Sequence, residues 1–149
     1  YVVMNLGAFA LILSMKRGGQ PVETIADLAG LSRDRLPMAL ALLVVFFSMA
    51  GIPPLAGFFG KFLVFTAAIE AGFWWLAVIG LVTSVLSAFY YIRVIKVAFF
   101  DEPGEDGGFD ASDISLRTVY GASAVFLLIF IAFVGYVIDW AGASAGVFA

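Results

Sequence analysis

Apolar residues run along this chain in long unbroken stretches, without the alternation of a half-buried strand or the one-sided stripe of a surface helix. Residues 2–15, 36–60, 62–69, 71–92 and 118–138 contain no charge. Helices apolar on every side belong in a membrane or a very large core. A bilayer core of about 30 Å takes about 20 apolar residues per helical pass. The pattern predicts an all-α, polytopic transmembrane bundle in one continuous region, residues 1–149. Its spans fall at about 1–15, 36–71 (broken near 53–56), 73–98 and 117–140.

Two polar segments punctuate this pattern. In 16–35, Pro21 suits a first helical turn, Ile25, Leu28 and Leu31 recur every third residue and Gly30 suits a helix end, which predicts a small helix along the membrane interface, with a plain polar loop as the alternative. The acidic, Gly-rich segment DEPGEDGGFDASD, 101–113, is expected to be a solvated linker without chemistry. Composition agrees with a membrane location. The chain is 63% hydrophobic and 13% charged, with mean hydropathy +1.07, whereas soluble domains average roughly 45–50% and about 25%.

The chain enters its first apolar segment at Tyr1 without initiator Met, basic n-region or small-residue cleavage site. It is expected to be a piece of a longer chain rather than to begin with a signal peptide. With no Cys and no His, neither a disulfide framework nor metal or haem ligation is expected.

Basic residues bear on the number of passes. If 36–71 crosses once, Lys16, Arg17, Arg33, Arg35, Arg93, Lys96 and Arg117 share one side. If it crosses twice, they divide four to three. The positive-inside rule favours one crossing and a cytoplasmic basic side, hence four passes with the second discontinuous; five passes are the alternative. One crossing has a length cost, since 37 residues of continuous helix would span about 55 Å.

The broken span carries the candidate chemistry. Pro53 and Pro54 interrupt it and lack N–H groups. Irregular backbone at membrane depth is tolerated where it is buried in protein or lines a wet cavity, and broken helices recur at transporter ion sites. Lys61 lies two turns later, with Gly57 one turn before it. A buried charge costs several kcal/mol, so an ionisable residue within a span marks function by default. Lysine can lose its proton, whereas arginine remains charged, which makes Lys61 a candidate proton relay. The bland alternative is a lysine snorkelling to the interface. On the next span Thr83, Ser87 and Tyr90 share a face and are candidates for a polar path. Packing through small residues, with Gly80 and Ser84 as the pair, is the favoured reading there.

The stretch SMAGIPPLAGFFGKF, 48–62, resembles the motif of the antiporter-like subunits of respiratory complex I, the proton-pumping NADH:quinone oxidoreductase, and of related multi-subunit Na⁺/H⁺ antiporters. MNLGAFALI from Met4, IADLAGLSRDRLPMALAL from Ile25 and SAFYYIRVIKVAFF from Ser87 narrow the resemblance to the bacterial subunit N family. It covers nearly the whole chain apart from the acidic segment and the last ten residues.

The resemblance implies the C-terminal third of an antiporter-like subunit in the bacterial inner membrane, among other complex I membrane subunits and lipid, with no nucleic acid partner. Lys61 then matches the lysine on a broken helix at the periplasmic end of a proton path. NADH, FMN, Fe–S clusters and quinone belong to the whole complex, and no residue here is assigned to them. A cation/proton antiporter subunit and a purely structural anchor are the competing readings.

Overall fold

A computed structural model describes residues 1–103 and 108–145. Helix α1 spans Val2–Ser14, and a two-residue hairpin pairs β1 (Lys16–Arg17) with β2 (Gln20–Pro21). A 3-10 turn (Ala26–Leu28) and the short α2 (Leu31–Asp34) lead into α3, Leu36–Ala50. Helices α4 (Ala56–Glu70), α5 (Trp74–Phe100) and α6 (Ile114–Ala145) follow.

Helix α3 forms the centre. Met38, Ala39, Leu42, Val45, Phe46 and Ser48 are buried along it, and Leu11 of α1 and Leu127 of α6 are buried in the same core region. Close approaches fall at small residues, as membrane helix packing favours. A Cβ on Gly7 would lie 2.8 Å from Ser123 Cβ, and one on Gly80 would lie 2.6 Å from the Phe65 ring. Leu86 and Phe89 of α5 and Phe133 of α6 instead face outward, more than half exposed. Apolar residues on such outer faces suit lipid or further helices rather than water.

Taken singly, α5 and residues 114–140 of α6 are long and apolar enough to cross a bilayer. Helices α1, α3 and α4 are shorter, but α3 and α4 run in tandem along α5. Near the C-terminal end of α5, Tyr91 meets the Phe46 ring edge-on at 5.4 Å, and the Phe99 carbonyl accepts a hydrogen bond from Ser32 just before α3. Toward its N-terminal end, Gly80 lies against Phe65 of α4, and Ser84 borders a pocket shared with Lys61.

The first turn of α4 lies beside the last turn of α3, with Gly57 bonded to Ser48. The intervening residues therefore add little length. The two helices, 15 residues each, less the overlapped turn rise about 40 Å, as does α5 with 27 residues, at 1.5 Å per residue. The length cost expected of one continuous helix does not arise.

The segment 16–35 differs from the expected helix. Gly18 and Gly19 take φ of +54° and +80°, the conformation of a two-residue Gly-Gly hairpin turn, so Pro21 closes a strand instead of opening a helix. Gly30, at φ +81°, precedes α2 instead of ending a helix. The apolar triplet still faces inward, with Leu28 and Leu31 buried and Ile25 packed against the core. Thr24 and Asp27 exchange backbone-to-side-chain hydrogen bonds around the 3-10 turn. The bonds from Thr24, side-chain first, hold the Asp27 carboxyl below its ordinary range.

The segment 101–113 is not simply a solvated linker; its residues 104–107 lie outside the described ones. Phe109 is 5% exposed, with the Arg17 guanidinium 4.3 Å above its ring. Its carbonyl accepts from Arg35 Nε, and its N–H donates to Asp34. Asp110 N–H donates to the Lys16 carbonyl, its carboxylate accepts from Gly19 N–H, and Pro103 packs on Gly30. The acidic composition suggests solvation, but one buried aromatic and these paired backbone groups dock the segment. The 16–35 and 101–113 segments are thus joined at one end of the bundle.

Candidate functional site

The site is the junction of α3 and α4. Helix α3 stops at Gly51, whose φ of +85° is accessible to glycine at low cost. Gly51 N–H donates to the Phe47 and Ser48 carbonyls, and Ile52 N–H to the Phe47 carbonyl. This termination leaves the Met49 and Ala50 carbonyls among the four that every helix end exposes. Lys61 Nζ donates to both, at 3.1 Å each. The ammonium therefore sits at the negative end of the α3 dipole, with two N–H groups on backbone carbonyls. A Cβ on Gly51 would approach Lys61 Cδ to 3.0 Å, so the lysine stem lies directly against the break.

The start of α4 is fastened in a complementary way. Pro53 and Pro54, joined by a cis peptide bond, carry the chain between the helices. Gly57 N–H, in the first turn, donates to Ser48 Oγ at 3.1 Å. The Ser48 hydroxyl donates to Met4 Sδ on α1, also at 3.1 Å. A Cβ on Gly57 would overlap the Ser48 carbonyl oxygen. Glycine lets the two helix ends press together, and Lys61 lies on the same face of α4 one turn later.

Lys61 borders two cavities. A cleft of about 720 Å³ between α1, α4 and α6 includes Met4, Ser48, Met49, Leu127 and Phe130 in its walls. A pocket of about 280 Å³ on the α5 side includes Gly51, Phe62, Ser84 and Ala88. Lys61 supplies the charged side chain to both. A lysine between two openings, held by carbonyls rather than by a carboxylate, can exchange a proton without breaking an ion pair.

The structure brings Lys61, Gly57 and the Pro53-Pro54 break together. It places Thr83, Ser87 and Tyr90 on the exposed side of α5. Thr83 Oγ1 and Ser87 Oγ donate to carbonyls of their own helix, Gly80 and Thr83. Tyr90 instead borders a cavity of about 330 Å³ with Asn5, Glu23, Tyr91 and Met49. Ser84, beside the predicted row, is the α5 hydroxyl residue bordering the Lys61 pocket. Sequence reasoning missed Ser48 and the two carbonyls. Ser48 is the one hydroxyl residue between Ser32 and Thr66, a signal that was present. Among the described residues no group of three His, Cys, Asp or Glu residues could hold a metal.

Comparisons with known proteins agree with this architecture. Residues 1–87 match the family model described as NADH:quinone oxidoreductase/Mrp antiporter, TM. NADH-quinone oxidoreductase subunit N 1 of Acidiphilium cryptum is 56% identical over 131 residues, 88% of this chain and 27% of that protein. Subunit N of Rhodospirillum rubrum is 50% identical over 147 residues, 97% of this chain and 30% of that protein. The chain thus spans less than a third of the length of these relatives.

A chain of respiratory complex I from Thermus thermophilus, solved with aureothin bound, superposes with a TM-score of 0.78 at 36% identity. The match covers 93% of this chain and 31% of that one. A chain of the Mrp complex from Dietzia sp. DQ12-45-1b superposes at 0.74 with 20% identity, covering 96% and 34%, a likeness of fold. The helix bundle, the broken helix and the family match over more than half its length agree: this chain belongs to the NADH:quinone oxidoreductase/Mrp antiporter transmembrane family.

Proposed function

We propose that this chain is the C-terminal part of an antiporter-like membrane subunit of a bacterial proton-pumping NADH:quinone oxidoreductase, and that it carries part of the proton path. Lys61 is the relay in this reading. The observation that carries it is the Lys61 ammonium on the Met49 and Ala50 carbonyls, inside a helix break and between two cavities. Burial favours the neutral amine, whereas the carbonyls and the α3 dipole favour the ammonium. A relay needs such opposed influences, so that a change in a neighbouring charge tips the balance.

Four passes, the second made of α3 and α4, are part of this reading. The joined 16–35 and 101–113 segments support it, because an even number of crossings must separate them. The basic end then faces the cytoplasm of a bacterial inner membrane. NADH, FMN, Fe–S clusters and quinone act in other subunits, and this chain works among further membrane subunits. Identities of 50–56% to proteins named subunit N, against 20% to the Mrp chain, favour redox-linked pumping over cation/proton antiport.

The test is Lys61→Met in the full-length subunit within its native complex. The complex should assemble and reduce quinone while translocating fewer protons per electron. An unaltered proton-to-electron ratio would remove Lys61 from the path.

A further inference from the structure

Helix α3 has a fully buried hydroxyl whose hydrogen bonds reach two other helices. Ser48 is 0% exposed, and a serine inside a helix commonly returns its hydroxyl to the carbonyl four residues earlier. Ser14 does so, donating to the Ala10 carbonyl. Ser48 instead points its hydroxyl between three helices, donating to Met4 Sδ of α1 and accepting from Gly57 N–H of α4. The Gly57 N–H is one of the donors that every helix start leaves without an intrahelical partner. Ser48 thus caps α4 from another helix.

That bond has a consequence one turn along. Gly57 and Lys61 are four residues apart, so whatever fixes Gly57 against Ser48 also fixes how far Lys61 must reach to Met49 and Ala50. The same two carbonyls follow Ser48 directly on α3. The cap and the lysine contacts therefore form a short bridge between the two helix ends, with Ser48 as one support and Lys61 as the other. A hydrogen bond is sensitive to a shift of a few tenths of an ångström.

We infer that Ser48 is a positioning residue for Lys61: by capping the Gly57 N–H it sets the register of α4 against the C-terminal carbonyls of α3. The inference rests on the reading of Lys61 as the relay, and it assigns Ser48 no proton of its own to transfer.

The test compares Ser48→Ala, Ser14→Ala and Lys61→Met in the full-length subunit within its native complex, measuring protons translocated per electron in sealed membrane vesicles. The ratio is independent of how much complex assembles. Losing one cap weakens the docked register about fivefold and should lower the ratio part of the way to that of Lys61→Met, with quinone reduction retained. Ser14→Ala removes a buried helix hydroxyl at the other end of α1, outside the junction, so its ratio should stay close to that of the parent protein.

A parental ratio in Ser48→Ala overturns the inference. So does a Ser14→Ala loss as large as that of Ser48→Ala, which would mean a general effect of losing a buried hydroxyl, or a Ser48→Ala complex that does not assemble. A parental ratio in Lys61→Met strikes the relay reading itself and is seen in a separate arm.

Discussion

Replacing Gly57 with alanine tests the junction most directly. The added Cβ would stand 2.7 Å from the Ser48 carbonyl carbon, whereas carbon atoms in contact sit at about 3.5–4.0 Å. The obstacle is backbone, so the first turn of α4 must retreat by about 1 Å. That shift stretches the Gly57–Ser48 bond and both Lys61 bonds from 3.1 Å toward about 4 Å, beyond hydrogen-bonding range.

Alanine is worth about 1 kcal/mol more than glycine inside a helix, but overpacking costs about 1–3 kcal/mol, and a lost cap costs about 1 kcal/mol more. The net change is a destabilised junction. The assay is proton translocation per electron in vesicles, with assembly followed by native electrophoresis. A fall in the ratio, with the complex still assembled, is expected. Parental pumping and parental assembly together would show that the close approach of α3 and α4 is unnecessary, and would refute the reasoning.

Further predictions concern the lysine, the break and the loops. Lys61→Arg preserves a cation over the α3 carbonyls but cannot release its proton, so assembly should persist while the proton-to-electron ratio falls; a parental ratio would leave only an electrostatic anchor. Gly51→Ala places a side chain at φ +85° and against Lys61, costing about 1–2 kcal/mol, which should appear as a lower midpoint for thermal dissociation of the complex. Phe109→Ala empties a buried aromatic site, a loss of about 3–5 kcal/mol in a well-packed setting, and should speed proteolysis within 101–113. The chain has no cysteine, so single cysteines at Gly19 and Gly72 report topology. With α3 and α4 as one pass they label from opposite sides of the membrane, and labelling from the same side would require two passes.

Much of this protein was legible from the order of its residues. Charge-free stretches of membrane length define a helix bundle, because backbone polar groups in lipid must be satisfied within each helix. A lysine close behind two prolines marks the region proposed as functional, since both are costly in a span. The flanking motifs indicate the family. Local chemistry carries this information, so it survives in one dimension.

Tertiary structure decided the partners. That Lys61 answers Met49 and Ala50 depends on the first turn of α4 lying beside the last turn of α3, which no periodicity records. Ser48 appears in the sequence as a lone hydroxyl, and only the approach of α1 and α4 gives it an acceptor and a donor. On α5 the helical period puts Thr83, Ser87 and Tyr90 on one face, but the residues turned toward α4 are the small ones, Gly80, Ser84 and Ala88. In the loops, Gly18-Gly19 overrode a three-residue apolar spacing, and a distant Phe109 docked a segment whose composition is that of a solvated linker. For the junction, the α5 face and Phe109 the physical reason is the same. Helix formation and membrane partition are local or compositional, whereas the pairing of helix ends is a long-range contact selected by shape.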